Sequence, residues 1–166
     1  MKFVTDNYIT EFKNAVASAQ RYVYINSYTV SPPVPSLGLR FKGAWDELFN
    51  AAGRSVDVKI LVDGGAESKM LIEGIRRFFN FKMPDGVHIR LLGMGKKLHA
   101  KFYLIDDVFF CVGSHNFTKR GLSNPFELSI TIRDAKLCAE LKTYFMQMWG
   151  LAYVYKSAVN TDRATG

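Results

Sequence analysis

Cysteine is scarce in this chain. The 166 residues include 2, Cys111 and Cys138. That number excludes a disulfide framework and a cysteine-built zinc site. One thiol lies in an apolar run and the other on the expected buried face of a helix, so both read as reduced core residues. Long hydrophobic runs are lacking too, which excludes a membrane-crossing helix. The segment Met1–Asn7 has no apolar signal-peptide region. A soluble protein of a reducing, cytoplasmic compartment is expected. Proline numbers 5, and three of them crowd into Ser31–Ser36, where they rule out regular structure. Internal repeats and linker-like stretches are missing, which argues for one domain. What is present is a core-forming composition: 48% hydrophobic residues with 13 Phe, 8 Tyr and 2 Trp. Negative charge is in deficit, leaving a net charge of +7. That balance suits a polyanionic partner, either nucleic acid or an anionic membrane surface.

Hydrophobic periodicity predicts a helix over 6–19, with Ile9, Phe12, Val16 and Ala19 on one face and Asp6 as its cap. Residues 21–29 read as a strand. A helix over 38–52 carries Phe41, Trp45, Leu48 and Phe49 and is ended by Gly53. Residues 56–62 form a buried strand broken by Asp63-Gly64-Gly65. A helix over 67–80 turns Leu71, Ile75, Phe78 and Phe79 inward, and 87–92 is a short strand. Strands 98–105 and 108–113 are joined by Asp106-Asp107 in a tight hairpin. A strand over 126–133 follows. Asp134 then caps a helix over 135–149 with Leu137, Leu141, Tyr144, Phe145 and Met148 as its stripe. Strands alternating with helices imply an α/β protein with a mixed, largely central β-sheet flanked by helices on both faces. The expected domain covers 1–154. Residues 155–166 read as a polar tail or the start of a linker to an absent domain.

The chemistry concentrates between residues 99 and 127. In a strand residues two apart share a face, so His99 and Lys101 project as neighbours. An imidazole beside an ammonium is poised to attack or bind phosphorus, with the lysine donating to non-bridging oxygens. Gly113 permits close backbone approach, Ser114 supplies a hydroxyl and an N–H, and Asn116 an amide. The tight hairpin brings these groups together. The full pattern is His99-x-Lys101, four residues, Asp106, six residues, then Gly113-Ser114-x-Asn116.

This pattern resembles that of the phospholipase D superfamily, whose members make and break phosphodiesters without a metal or cofactor. The resemblance implies that His99 is a nucleophile forming a phosphohistidine. It implies that Lys101, Ser114 and Asn116 hold the phosphate oxygens. Glu127 is similar to the carboxylate that orients a histidine through its second ring nitrogen. Asp106 belongs to the motif, and in this family its role is structural rather than that of a base. A second histidine must protonate the leaving oxygen and then activate water. The chain holds 3 histidines, His88, His99 and His115, and one His-x-Lys. His88 reads as a surface or structural residue and His115 as structural. A homodimer that pairs two His99 residues across a twofold axis supplies the missing group.

The segment Gly113–Glu127, with its Asn116-Phe117-Thr118 and Gly121-x-Ser123, resembles the phospholipase-D-type restriction endonucleases. Gly38-Leu39-Arg40-Phe41 and the Leu98–Tyr103 entry to the motif are also similar. Pro125 departs from that pattern, standing where an Asn is often found two residues before the Glu. The expectation is a metal-independent endonuclease acting on nucleic acid, DNA before RNA. Either a C-terminal recognition domain lies outside this chain, as the resemblance to restriction endonucleases implies, or the chain is a complete small nonspecific nuclease. Lys96, Lys97, Lys119 and Arg120 flank the motif as candidate contacts to the phosphate backbone. Three rival readings stand beside it. One is a phospholipid or cardiolipin hydrolase at a membrane surface, with the loop from Pro32 to Leu37 as its weak membrane contact. Another is a non-catalytic nucleic-acid-binding module. The third is a metal-dependent nuclease using Asp106 and Asp107.

Overall fold

A computed structural model describes residues 1–33, 38–78, 84–93, 95 and 97–154. Its elements run β1 (Lys2–Val4), α1 (Tyr8–Ser18), β2 (Tyr22–Ser27), α2 (Leu39–Gly53), β3 (Asp57–Asp63) and α3 (Ala66–Phe78). There follow β4 (Val87–Leu92), β5 (Phe102–Ile105), β6 (Phe109–Gly113), α4 (Lys119–Ser123), β7 (Ser129–Ile132) and α5 (Ala135–Leu151). The seven strands form one sheet in the order β1-β7-β6-β5-β2-β3-β4. β2, β3 and β4 are parallel and joined through α2 and α3, whereas β5, β6, β7 and β1 pair antiparallel.

The period-2 alternation of the strands sorts their side chains into two cores. Val23 and Ile25 of β2 join Val58, Ile60, Tyr103 and Ile105 beneath α1 and α2, where Phe12, Trp45 and Leu48 are buried. Tyr22 and Tyr24 face the other way, with Leu61, Phe102 and Leu104, toward Phe145 and Trp149 of α5. The expected mixed central sheet with helices on both faces is therefore the observed fold. The expected Asp106-Asp107 turn is also present, with φ of +54° and +57°. Two consecutive left-handed residues give the twist a tight hairpin needs.

Several details differ. Helix α1 starts at Tyr8, and its N-cap position is Asn7 rather than Asp6, without a side-chain cap bond. Gly53 is the last residue of α2, and it is Ser55 that takes the positive φ beyond it. In α3 the buried residues include Ile72 and Ile75, while Phe78 is exposed. The Leu71 side chain, Phe79 and the tail 155–166 lie outside the described residues. In α5 the expected stripe holds in part: Phe145 and Cys138 are buried, with Leu141 and Met148 packed against the same core, whereas Leu137 and Tyr144 are exposed and Trp149, outside the expected stripe, is buried. Trp149 decides this, because stacking on Phe145 and covering Arg90 turns that edge toward the sheet. Asp134 does cap α5, accepting from Leu137 N at 3.0 Å. The late strands are shorter than expected. Strand β5 begins at Phe102, β6 at Phe109 and β7 at Ser129, and the short strand β1 and helix α4 were not anticipated.

Candidate active site

Because β5 begins at Phe102, His99 and Lys101 lie on the extended segment that leads into it, not within a strand. Their expected adjacency holds. Lys101 Nζ lies 3.1 Å from His99 Nδ1 and 3.4 Å from Nε2, and it donates to His99 O at 2.7 Å. His99 is exposed, while Lys101 is buried. That burial lowers the Lys101 pKa from the ordinary lysine value, and the negative charge of Glu127 partly opposes the shift. An ammonium held partly out of water binds an incoming anion more strongly than an exposed one.

The β5–β6 ladder continues past β5, with Gly113 N donating to Lys101 O at 3.1 Å. This sets Gly113-Ser114 beside Lys101. A Cβ at Gly113 would stand 2.2 Å from both Leu128 O and Ser129 Oγ, so only glycine lets β6 and β7 close there. Ser114 N donates to Leu128 O at 3.0 Å, and its Oγ accepts from Leu128 N at 3.0 Å. Ser114 thereby holds the residue next to Glu127. The Asn116 Oδ1 accepts from Tyr28 N at 3.1 Å and lies 3.3 Å from Ser27 Oγ. Those contacts commit the amide oxygen and leave the Nδ2 donors for a ligand anion. Glu127 Oε1 accepts from Asn124 Nδ2 at 3.4 Å. An amide beside this carboxylate is thus supplied one position earlier than Pro125. Among the described residues no hydrogen bond joins Glu127 to His99.

Asp106 stands at the opposite end of β5 from His99. Its carboxylate accepts three backbone N–H bonds, from Gln20 at 2.7 Å and from Arg21 and Tyr22 at 2.8 Å. Asp107 is bound by the Tyr22 hydroxyl, by Arg21 at 2.8 Å and by Lys142 at 3.4 Å. Burial would raise the Asp107 pKa, but these partners outweigh it and hold the carboxyl below its ordinary value. Both carboxylates are committed to protein partners away from His99, which removes the support for a metal site built on them. Among the described residues no group of three or more His, Cys, Asp or Glu could hold a metal ion.

His115 is buried, with its ring stacked on Tyr8 at 3.9 Å between centroids and its Nδ1 2.8 Å from Ser129 Oγ. His88 is exposed on the edge strand β4. Of the basic candidates, Lys97, Lys119 and Arg120 are exposed, the last two opening α4, and Lys96 lies outside the described residues. The site also contains a residue the motif does not name. The Tyr28 ring lies 5.5 Å from that of His99, and Lys101 Nζ is 5.9 Å from its centroid. The available signal was the run Asn26-Ser27-Tyr28, where a strand of buried residues turns polar.

Residues 12–149 match the family described as "Cardiolipin synthase, PLD-like domain". The chain is 30% identical over 129 residues to cardiolipin synthase B of Shigella flexneri, which covers 78% of the chain and 29% of that protein. It is 32% identical over 97 residues to cardiolipin synthase B of Escherichia coli K12, covering 58% and 22%. The chain thus spans under a third of the length of these curated relatives. Among solved structures, the phospholipase D family member Nuc from Salmonella typhimurium superposes with a TM-score of 0.67 at 24% identity, covering 89% of this chain and 90% of that one. NucT from Helicobacter pylori superposes with a TM-score of 0.70 at 16% identity, covering 93% and 98%. The fold also occurs in TrmBL2, an archaeal chromatin protein with a novel mode of DNA binding, at a TM-score of 0.62 and 17% identity over 91% and 52%.

Proposed function

Because the chain belongs to the phospholipase D-like family, we propose that it is a metal-independent phosphodiesterase acting on nucleic acid. The observation that carries this is the convergence of His99, Lys101 and the Gly113–Asn116 turn around one exposed imidazole. A ring nitrogen of His99 attacks phosphorus, a P–N bond forms, and the bond to the leaving oxygen breaks. Lys101, Ser114 and the Asn116 amide hold the non-bridging oxygens, whose charge grows in the transition state. A second histidine gives its proton to the leaving oxygen. It then takes one from the water that attacks phosphorus and breaks the P–N bond.

The second histidine is assigned to another copy of the chain, in a homodimer. His115 is buried against Tyr8 and His88 lies on the edge strand, so neither serves. Val112, Leu128 and the 94% exposed Phe126 lie beside Ser114 and Glu127 and form an apolar rim for that contact. Glu127 then orients a histidine of the paired site.

Nucleic acid is favoured by the net charge of +7 and by exposed Lys97, Lys119 and Arg120 on both sides of the motif. DNA is proposed ahead of RNA. The likeness of the Gly113–Glu127 segment to restriction endonucleases supports the further reading that sequence recognition belongs to a separate domain. One further observation favours a phospholipid substrate. A cavity of about 410 Å³ is lined by Ile9, Leu39, Phe41 and Leu122 together with the charged Asp6, Arg40 and Lys119, a surface that could take an acyl chain beside a headgroup.

Supercoiled plasmid, single-stranded DNA, RNA and cardiolipin vesicles are incubated with the protein in excess EDTA, with His99→Ala as control. Nicking that persists in EDTA and vanishes in the variant is expected. The combined Lys97→Ala, Lys119→Ala and Arg120→Ala variant should bind DNA more weakly and with a shallower salt dependence. Vesicle hydrolysis without plasmid nicking would replace the nucleic-acid reading with the lipid one. Activity surviving in His99→Ala would end both.

A further inference from the structure

Each loop of the motif is anchored to side chains near the ends of the parallel strands, and the motif names none of these anchors. Asn26 is next to last in β2 and 1% exposed. Its Nδ2 donates to Ala100 O at 2.8 Å, the carbonyl between His99 and Lys101. Asp63 ends β3 and is 6% exposed. Its Oδ2 accepts from Leu98 N at 2.8 Å, and its Oδ1 is occupied by Gly65 N at 2.9 Å. The backbone is therefore gripped one residue before and one residue after His99, and from two different strands. Among the described residues the strand ladder reaches this segment only at Lys101 O, which accepts from Gly113 N at 3.1 Å, and it gives no bond to Leu98, His99 or Ala100. A free extended segment could swing His99 by more than the tolerance of an in-line attack. Two buried anchors bracketing it fix where the imidazole stands.

We propose that Asn26 and Asp63 are positioning residues, which clamp the backbone on either side of His99 and so set its line of attack. This rests on His99 being the nucleophile. Asn26 carries the sharper test because its bond falls between the two motif residues. The Asn26 Oδ1 is buried and without a hydrogen-bond partner. The whole polar contribution of Asn26 is then its donation to Ala100 O.

The test uses bis(p-nitrophenyl) phosphate, a diester that is neither nucleic acid nor lipid, with the full chain. Asn26→Ala is expected to lower kcat by about 10- to 100-fold with KM changed less than about threefold. Leu48→Ala, a truncation in the core under α2, serves as a destabilised control and keeps its kcat while folded. Asn26→Asp gives the signature that a purely structural role would not move. Only its protonated carboxyl can donate to Ala100 O, so its kcat relative to the unsubstituted protein rises as pH falls. An unchanged kcat in Asn26→Ala, or a loss no larger than that of Leu48→Ala, overturns the proposal. If Asn26→Ala does not fold, a pH-independent ratio in Asn26→Asp overturns it instead. Turnover retained in His99→Ala marks the failure of the nucleophile assignment, a separate result.

Discussion

Substituting Asp106 separates two roles that a motif carboxylate can play. Its Oδ1 accepts from both Arg21 N and Tyr22 N, and its Oδ2 from Gln20 N. Asparagine keeps an oxygen for the first two and turns an amide toward the third, so donor meets donor. It also tolerates the left-handed backbone, with φ of +54°, better than most residues. The cost is one charge-assisted hydrogen bond lost, at about 1.5–3 kcal/mol, and two weakened because the acceptor is no longer charged. A destabilisation of about 3 kcal/mol follows, or a fall of about 6–12 °C in Tm for a domain of this size. Alanine loses all three bonds and meets backbone strain of about 1 kcal/mol as well, which approaches the whole stability of a marginal domain. Asp106→Asn is therefore the informative variant. Urea unfolding measures the stability, and diester turnover per folded molecule measures the chemistry. The expected pair of results is a clear loss of stability with turnover within a fewfold of the unsubstituted protein. Unchanged stability with turnover down a hundredfold would refute the reasoning and make Asp106 a proton-transfer group.

Two other perturbations read separate parts of the same architecture. Gly113→Ala puts a Cβ 2.2 Å from Leu128 O and forces β6 from β7. A loss of about 1–3 kcal/mol or more is expected, together with reduced turnover as Ser114 shifts. By contrast, Gly74→Ala in α3 meets nothing within 4 Å and should add about 0.5–1 kcal/mol. Equal effects at the two glycines, read by urea midpoints, would contradict the close-approach argument. Burial lowers the pKa of His115, with Glu127 partly opposing. The unfolded chain then takes up a proton that the folded one refuses. The stabilisation is full above the unfolded histidine value of about 6.5 and is lost as pH falls below it. The urea midpoint should drop more between pH 7.5 and 5.5 in the unsubstituted protein than in His115→Phe, which keeps the stack on Tyr8. Equal drops would show that His115 carries no linkage.

The legible parts of this structure are those governed by local pattern. Residues 21–29 were legible as a strand from their β-rich makeup, and Tyr22–Ser27 form β2. The Asp106-Asp107 hairpin and the Asp134 cap followed from turn and cap chemistry. What failed depended on partners distant in sequence. The stripe of α5 was read from helical period alone, whereas the orientation is set by Trp149 against Phe145 and Arg90. Strand β1 pairs with β7 from the far end of the chain, through Phe3 and Ile130. Strand β5 was drawn too long because Leu98, His99 and Ala100 are extended without belonging to the ladder, whose last bond here is Gly113 N to Lys101 O. The backbone of Ala100 and Leu98 is held by Asn26 and Asp63 instead, and no spacing rule could disclose side chains 74 and 35 residues away.

That division bears on how the motif should be read. A spacing pattern does not assign its residues to one place or one task. Here His99, Lys101 and Asn116 gather at one end of β5, and Asp106 is committed at the other to the start of β2. Strand β2 lies between the two groups of contacts. Its first residues are held by Asp106, and its last residues hold the two loops, through Asn26 on Ala100 and Ser27 on Phe117 N at 2.9 Å. A displacement of β2 along its axis would therefore move both loops together and keep their mutual geometry. Rotation of either loop alone would break a bond to a residue at most 1% exposed. His99 and the Gly113–Asn116 turn are in this way referenced to one strand. Two segments that leave the ladder at Lys101 and Gly113 are thereby held to the rigidity that the proposed in-line displacement requires.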